Sequence, residues 1–200
     1  MRALLCLLCL LPATAFPESL SRGERDRAMS ELHATRKQFL DAIAGLSAAQ
    51  WNFKPSDTAW SIAETAEHIA VSEDFLFELV TKKVMASPAQ PEKKEEVKGK
   101  DETVLTLIRD RSTKAKAPET LLPKRRWATP QEVADHFGQS RNRTITYIET
   151  TPGDVRAHFA RHPAAGLLDA YQWVLLISAH SARHVVQIEE IKADPRFPKP

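Results

Sequence analysis

Apolar residues return every three or four positions in four stretches of the chain, and each stretch opens on a capping signal. Ser21-Arg22-Gly23-Glu24 pairs an N-cap serine with a glutamate three residues on. Met29, Leu32, Phe39, Ile43 and Leu46 then recur at helical spacing and predict a first helix over about 22–46. Ser61-Ile62-Ala63-Glu64 repeats the signal. Ile62, Ile69, Leu76, Leu79 and Val80 form the apolar side of a second helix over about 62–86, ended before Pro88. Its opposite side carries Glu67, Asp74, Glu78 and Lys82. Thr129-Pro130-Gln131-Glu132 opens a third helix over about 130–149, with proline at the first position, where its missing N–H costs nothing. Val133, Phe137, Thr144 and Ile148 make its inner stripe. Asp169 caps a fourth helix over about 170–193.

The intervening segments have a different composition. Residues 87–100 are rich in proline and charge and predict a mobile loop. Val104, Leu105 and Ile108 predict a short helix over 101–111, and residues 112–128 read as irregular. No strand pattern and no repeat stands out. The predicted fold is all-α: a four-helix bundle over residues 22–193, with a long loop and a short extra helix between helices two and three.

Charge excludes one class of partner. Lys and Arg number 28 against 26 Asp and Glu, and the formal net charge is only +2. The basic residues are scattered. No basic face for nucleic acid emerges, and Lys124-Arg125-Arg126 reads as a solvated loop. The first residues have the layout of a secretory signal peptide: Arg2, an apolar run from Ala3 to Leu11, and Ala13-Thr14-Ala15 as a cleavage signal. Export to the periplasm or the outside is therefore expected, with no membrane anchor after cleavage. Cleavage after Ala15 removes Cys6 and Cys9, the two cysteines of the chain. A metal site in the remainder must use His, Asp or Glu.

Histidines supply the candidate chemistry. His180 and His184 lie four apart on helix four, so both rings project from one face, shared with Trp173, Leu176, Ile177, Ile188 and Ile191. Two imidazoles at this spacing can bind one metal, or serve as core residues. Ser181 stands where a zinc protease would carry its glutamate. His68 on helix two joins the pair if helix two packs against helix four. Three neutral imidazoles suit zinc, and less selectively nickel, iron or manganese, and leave a coordination position open.

These motifs, in this order, resemble the DinB-like family of metal-binding four-helix bundles. The resemblance rests on Trp60-Ser61-Ile62-Ala63-Glu64 with His68-Ile69. It rests equally on His162-Pro163-Ala164-Ala165-Gly166 with Asp169, Trp173, His180, Arg183-His184 and Gln187-Ile188. It implies a divalent metal on His68, His180 and His184. It also implies a metal-dependent enzyme acting on a small molecule, either by hydrolysis or by transfer of a small thiol, possible as a homodimer. The other reading is a non-catalytic metal-binding or structural bundle. Gln187 is a candidate partner of a ligand histidine or of metal-bound water. His136 is a candidate fourth ligand or acid/base, against a structural role. Arg141 and Arg183 read as surface ion-pair residues or anion binders, and Glu64 as a cap before a base. Trp60, Trp173 and Tyr147 are candidate pocket walls. His33, His158 and His162 are read as structural.

Overall fold

The computed structural model describes residues 20–112 and 116–199; the expected signal peptide, with Cys6 and Cys9, lies outside the described residues. Helix α1 spans Arg22–Ile43, with the Ser21–Glu24 capping box formed. It ends three residues earlier than the apolar spacing predicts. Ala44 turns extended, and Gly45 takes φ +69°, a left-handed conformation that favours glycine. Ser47 then caps a short helix α2, Ala48–Asn52, which the spacing did not reveal and which buries Trp51. Helix α3 covers Ile62–Leu79 and continues as a π-helical turn, Val80–Val84.

The segment expected to be a mobile loop is more ordered than its composition suggests. A 3₁₀ turn at Pro91–Lys93 runs into α4, Lys94–Val97, because Val97 has an apolar partner in Phe159 and Leu167. Gly99, at φ +78°, then opens α5, Lys100–Arg109. A second 3₁₀ turn, Glu119–Leu121, precedes α6, Pro130–Thr150.

The other departure is a small antiparallel hairpin. Strand β1, Phe159–His162, pairs with β2, Gly166–Asp169, with Phe159 opposite Asp169 and His162 opposite Gly166. Its turn is held by His162, whose Nδ1 accepts from the backbone N–H groups of Ala164 and Ala165. Gly166 leaves the turn at φ +72°. Four-residue strands are too short to carry a readable alternation, and so the pattern did not reveal them. The second strand feeds directly into α7, Ala170–Lys192, capped by Asp169.

Helices α1, α3, α6 and α7 form the four-helix bundle. Both α1 and α3 pack against α6 and α7. Two apolar clusters fill the interior. One joins Leu32 of α1, Leu76 of α3, Ile148 of α6 and Leu175 of α7. The other joins Phe39, Ile69, Phe137 and Ile188 of the same helices. The first half of α1 thus meets the first half of α7 and the second halves of α3 and α6. It follows that α1 and α7 run one way and α3 and α6 the other, with α3 antiparallel to α7. No helix among the described residues is long and apolar enough to cross a membrane.

Between the two clusters lies a polar layer. Arg141 and Glu73, both fully buried, form a two-pronged ion pair: Nε to Oε1 and Nη2 to Oε2, each 2.7 Å. The remaining guanidinium hydrogens go to the Leu32 carbonyl and Thr35 Oγ1, both at 2.7 Å, and to Ser181 Oγ at 3.0 Å. Thr144 Oγ1 donates to Glu73 Oε1. All four helices therefore contribute. Arg141 is not the surface ion-pair residue expected from the sequence: a complete set of partners allows the charge to be buried.

Candidate metal centre

The antiparallel packing of α3 on α7 brings the three histidines together. His68 lies on the second turn of α3 at 3 % exposure; His180 and His184 lie on consecutive turns of α7 and are partly buried. Their ring centroids stand 5.1 Å apart for His68–His180, 4.6 Å for His68–His184 and 4.6 Å for His180–His184. One nitrogen from each ring lies within 4.8 Å of the other two. Zinc–imidazole bonds of about 2.0–2.1 Å in tetrahedral geometry need nitrogens roughly 3.3 Å apart. Small ring rotations cover that difference.

Hydrogen bonds decide which nitrogen faces inward. Nδ1 of His68 lies 2.9 Å from the carbonyl oxygen of Leu121, in the 3₁₀ turn before α6. A carbonyl only accepts, so Nδ1 carries the proton and Nε2 is left with its lone pair. Nδ1 of His184 lies 2.8 Å from Oε1 of Gln187, one turn further along α7. The same oxygen accepts from Arg111 Nη1 at 3.3 Å, which fixes the amide orientation; Arg111 also grips the Glu190 carboxylate through Nε and Nη2. Gln187 is thus a partner of a candidate ligand, one of its two expected roles.

Electrostatics keep all three rings neutral. Burial lowers the pKa of His68, against a smaller opposing effect of the Leu121 carbonyl. Burial, followed by the neighbouring imidazoles His184 and His68, holds His180 well below the ordinary histidine range. Burial and then His68 push His184 down to about 3. Neutral imidazoles are the form that donates to a metal. The set contains nitrogen donors only, which suits a borderline divalent ion.

Other candidate residues fall elsewhere. His136 is not a fourth member: its Nε2 pairs with Asp74 Oδ2 at 2.7 Å and its ring lies against Trp127. Asp74 also binds Ser140 and Arg143, so this network ties α3 to α6. Glu64 is a cap, bonded to the Ser61 backbone and to Lys54 Nζ. Arg183 donates to the Ile108 carbonyl at 3.4 Å. The three aromatic residues do not form one wall. Trp60 lies tilted against His68 with ring centroids 5.0 Å apart, Trp173 packs on His162 of the hairpin, and Tyr147 packs on Phe77. His158 bonds the Ser87 carbonyl and is structural, as read.

Glu67 was misread. Placed on the polar side of its helix by spacing, it is 3 % exposed and accepts three successive backbone N–H groups, from Lys124, Arg125 and Arg126. The one available signal was its position next to His68.

A bundle of this kind, with three convergent neutral histidines on two antiparallel helices, defines a small helical protein with a candidate metal centre in its interior. The chain belongs to the DinB superfamily, whose family model matches residues 31–188. It is 26 % identical over 164 residues to the uncharacterised protein YuaE of Bacillus subtilis (strain 168), covering 82 % of this chain and 96 % of YuaE. Its fold is similar to that of YfiT from Bacillus subtilis, with a TM-score of 0.54 and 16 % identity, covering 88 % of this chain and 90 % of YfiT. YfiT is described as a probable metal-dependent hydrolase with an unusual four-helix bundle topology.

Proposed function

We propose that this protein is a metal-dependent hydrolase of small molecules, using one divalent ion held by Nε2 of His68 and His184 and by a ring nitrogen of His180. The observation that carries the reading is the paired commitment of Nδ1 in His68 and His184 to oxygen acceptors. It leaves Nε2 of both rings with a bare lone pair, in a group whose three ligand nitrogens lie within 4.8 Å of one another. Histidine ligands are oriented in this way by an acceptor on the far nitrogen. The description of YfiT favours hydrolysis. Zinc is the expected ion. Bound there, it supplies Lewis acidity, polarising a substrate oxygen and acidifying water towards neutrality.

The chain's own residues do the rest. Trp60 packs against the His68 ring, with centroids 5.0 Å apart. Gln187 and the Leu121 carbonyl hold the Nδ1 protons and keep the rings in one orientation. Three protein ligands leave a position open for substrate. The signal-like leader makes the reading that of an exported enzyme, where the thiol transfer expected from the family resemblance lacks its cytoplasmic thiol.

Metal analysis of the protein purified without chelator tests the site, with His184→Ala beside it. About one equivalent in wild type and a large loss in the variant are expected. Equally little metal in both overturns the reading. The metallated protein is then screened on activated esters and amides and on thiol–electrophile pairs. Turnover of an ester or amide that disappears in His184→Ala supports hydrolysis. A loaded protein active only with thiol pairs, or inert throughout, overturns hydrolysis in favour of a transferase or a metal-binding module.

A further inference from the structure

Consecutive residues of α3 grip one segment of the connection between α5 and α6. Glu67 is almost fully buried, and its carboxylate accepts from the backbone of Lys124 (2.7 Å), Arg125 (2.8 Å) and Arg126 (3.3 Å). The Arg126 side chain adds an ion pair to the same carboxylate. Three N–H groups in a row converge on one anion only if the backbone curls around it. Arg125 accordingly adopts φ +59°, the one non-glycine among the described residues in the left-handed region. Three residues before this curl is Leu121, whose carbonyl takes the Nδ1 proton of His68. Leu121 thus ties this segment directly to His68.

We propose that Glu67 is a positioning residue for the metal centre: by clasping residues 124–126 it holds the Leu121 carbonyl against His68, which keeps the His68 proton on Nδ1 and its Nε2 free for metal. The inference rests on the metal-site reading above and adds a residue and a coupling to it. Without the clasp, nothing in the curl compensates three backbone N–H groups and a left-handed arginine, and the segment swings away. His68 then loses its acceptor and populates both neutral tautomers, one of which presents a proton to the metal. Loss of a partner that orients a metal ligand costs about 10–100-fold in affinity. The coupling is reciprocal. A metal on Nε2 makes the Nδ1–H a stronger donor, tightens its bond to Leu121, and so steadies the basic curl. That curl, Lys124-Arg125-Arg126, exposes three successive trypsin sites.

The test compares wild type with Glu67→Gln, which removes the negative charge and presents an amide N–H₂ to the clasped donors. Zinc affinity is measured by competition with a chromophoric chelator. The His68 tautomer in the metal-free protein is read from long-range ¹H–¹⁵N correlations. Zinc affinity about 10–100-fold weaker in Glu67→Gln, together with a shift of His68 from Nδ1–H towards a mixture, supports the proposal. Unchanged affinity, or a tautomer that stays on Nδ1, overturns it. A wild type that binds no zinc removes the metal reading itself, and the tautomer comparison then decides the clasp alone. Should Glu67→Gln fail to fold, wild type answers by limited trypsinolysis. Cleavage after residues 124–126 should slow several-fold when zinc is added, relative to cleavage at other sites. Equal rates with and without zinc overturn the coupling.

Discussion

Replacing Arg141 with methionine removes the guanidinium from the polar layer and keeps most of the side-chain volume. Five hydrogen bonds disappear, two of them from Glu73. The Glu73 carboxylate stays fully buried, with the Thr144 hydroxyl, at 3.1 Å, as its remaining donor in this cluster. Breaking one partner of a buried pair costs about 3–5 kcal/mol, because it strands an uncompensated charge. Against a typical total of about 5–15 kcal/mol, that is a large share of the stability. The double variant Glu73→Leu/Arg141→Met removes both charges together. Desolvation then no longer opposes folding, and the double is expected to be at least about 2 kcal/mol more stable than Arg141→Met alone. Urea unfolding followed by circular dichroism, on metal-free protein to avoid linkage to ligand, gives both numbers. An Arg141→Met variant that unfolds within about 1 kcal/mol of wild type, or a double no more stable than the single, would refute a stranded charge at Glu73.

Gln187→Met leaves His184 Nδ1 without its acceptor, and zinc affinity should fall about 10–100-fold with the fold intact by circular dichroism. Gly166→Ala forces a Cβ into φ +72° at the hairpin turn and should cost about 1 kcal/mol in urea unfolding, although nothing crowds that position. Acid should destabilise the metal-free protein from below pH 6.5. His184, held down to about 3, stays unprotonated when folded while the unfolded chain takes up the proton, so stability falls with pH by about 1.4 kcal/mol per pH unit for each histidine kept neutral. His180 acts in the same direction. Asp169, raised by burial to about 6, opposes them below that pH, since its folded form binds the proton more readily. A net fall in melting temperature between pH 7 and 5 is expected, and a flat profile would contradict it.

Much of the fold is legible in the chain because capping is local. Ser21, Ser61, Thr129 and Asp169 each sit within three residues of the group that completes their cap, and all four caps form. The pairing of His180 with His184 is legible for the same reason, since four residues along a helix return to one face. Resemblance to a family extended the reading to His68. Short elements were lost. Helix α2 has five residues and each strand of the hairpin four, too few to show a period, even though the α2 cap and the hairpin turn are local.

Tertiary structure alone decided the charges. Helical spacing places Glu67 on the polar side of its helix, and Arg141 reads as a surface ion-pair residue or an anion binder, yet both are buried because their partners come from other elements. Burial of a charge depends on what closes around it, and the donors for Glu67 lie more than fifty residues away. The same holds for the tautomer of His68, set by a carbonyl 53 residues away, whereas the acceptor for His184 lies three residues along its own helix. The chain by itself determined that two imidazoles share a face of the last helix. Only the packing of α3 against α7, and of the α5–α6 connection over His68, determined that three nitrogens converge and that His68 keeps its proton on Nδ1.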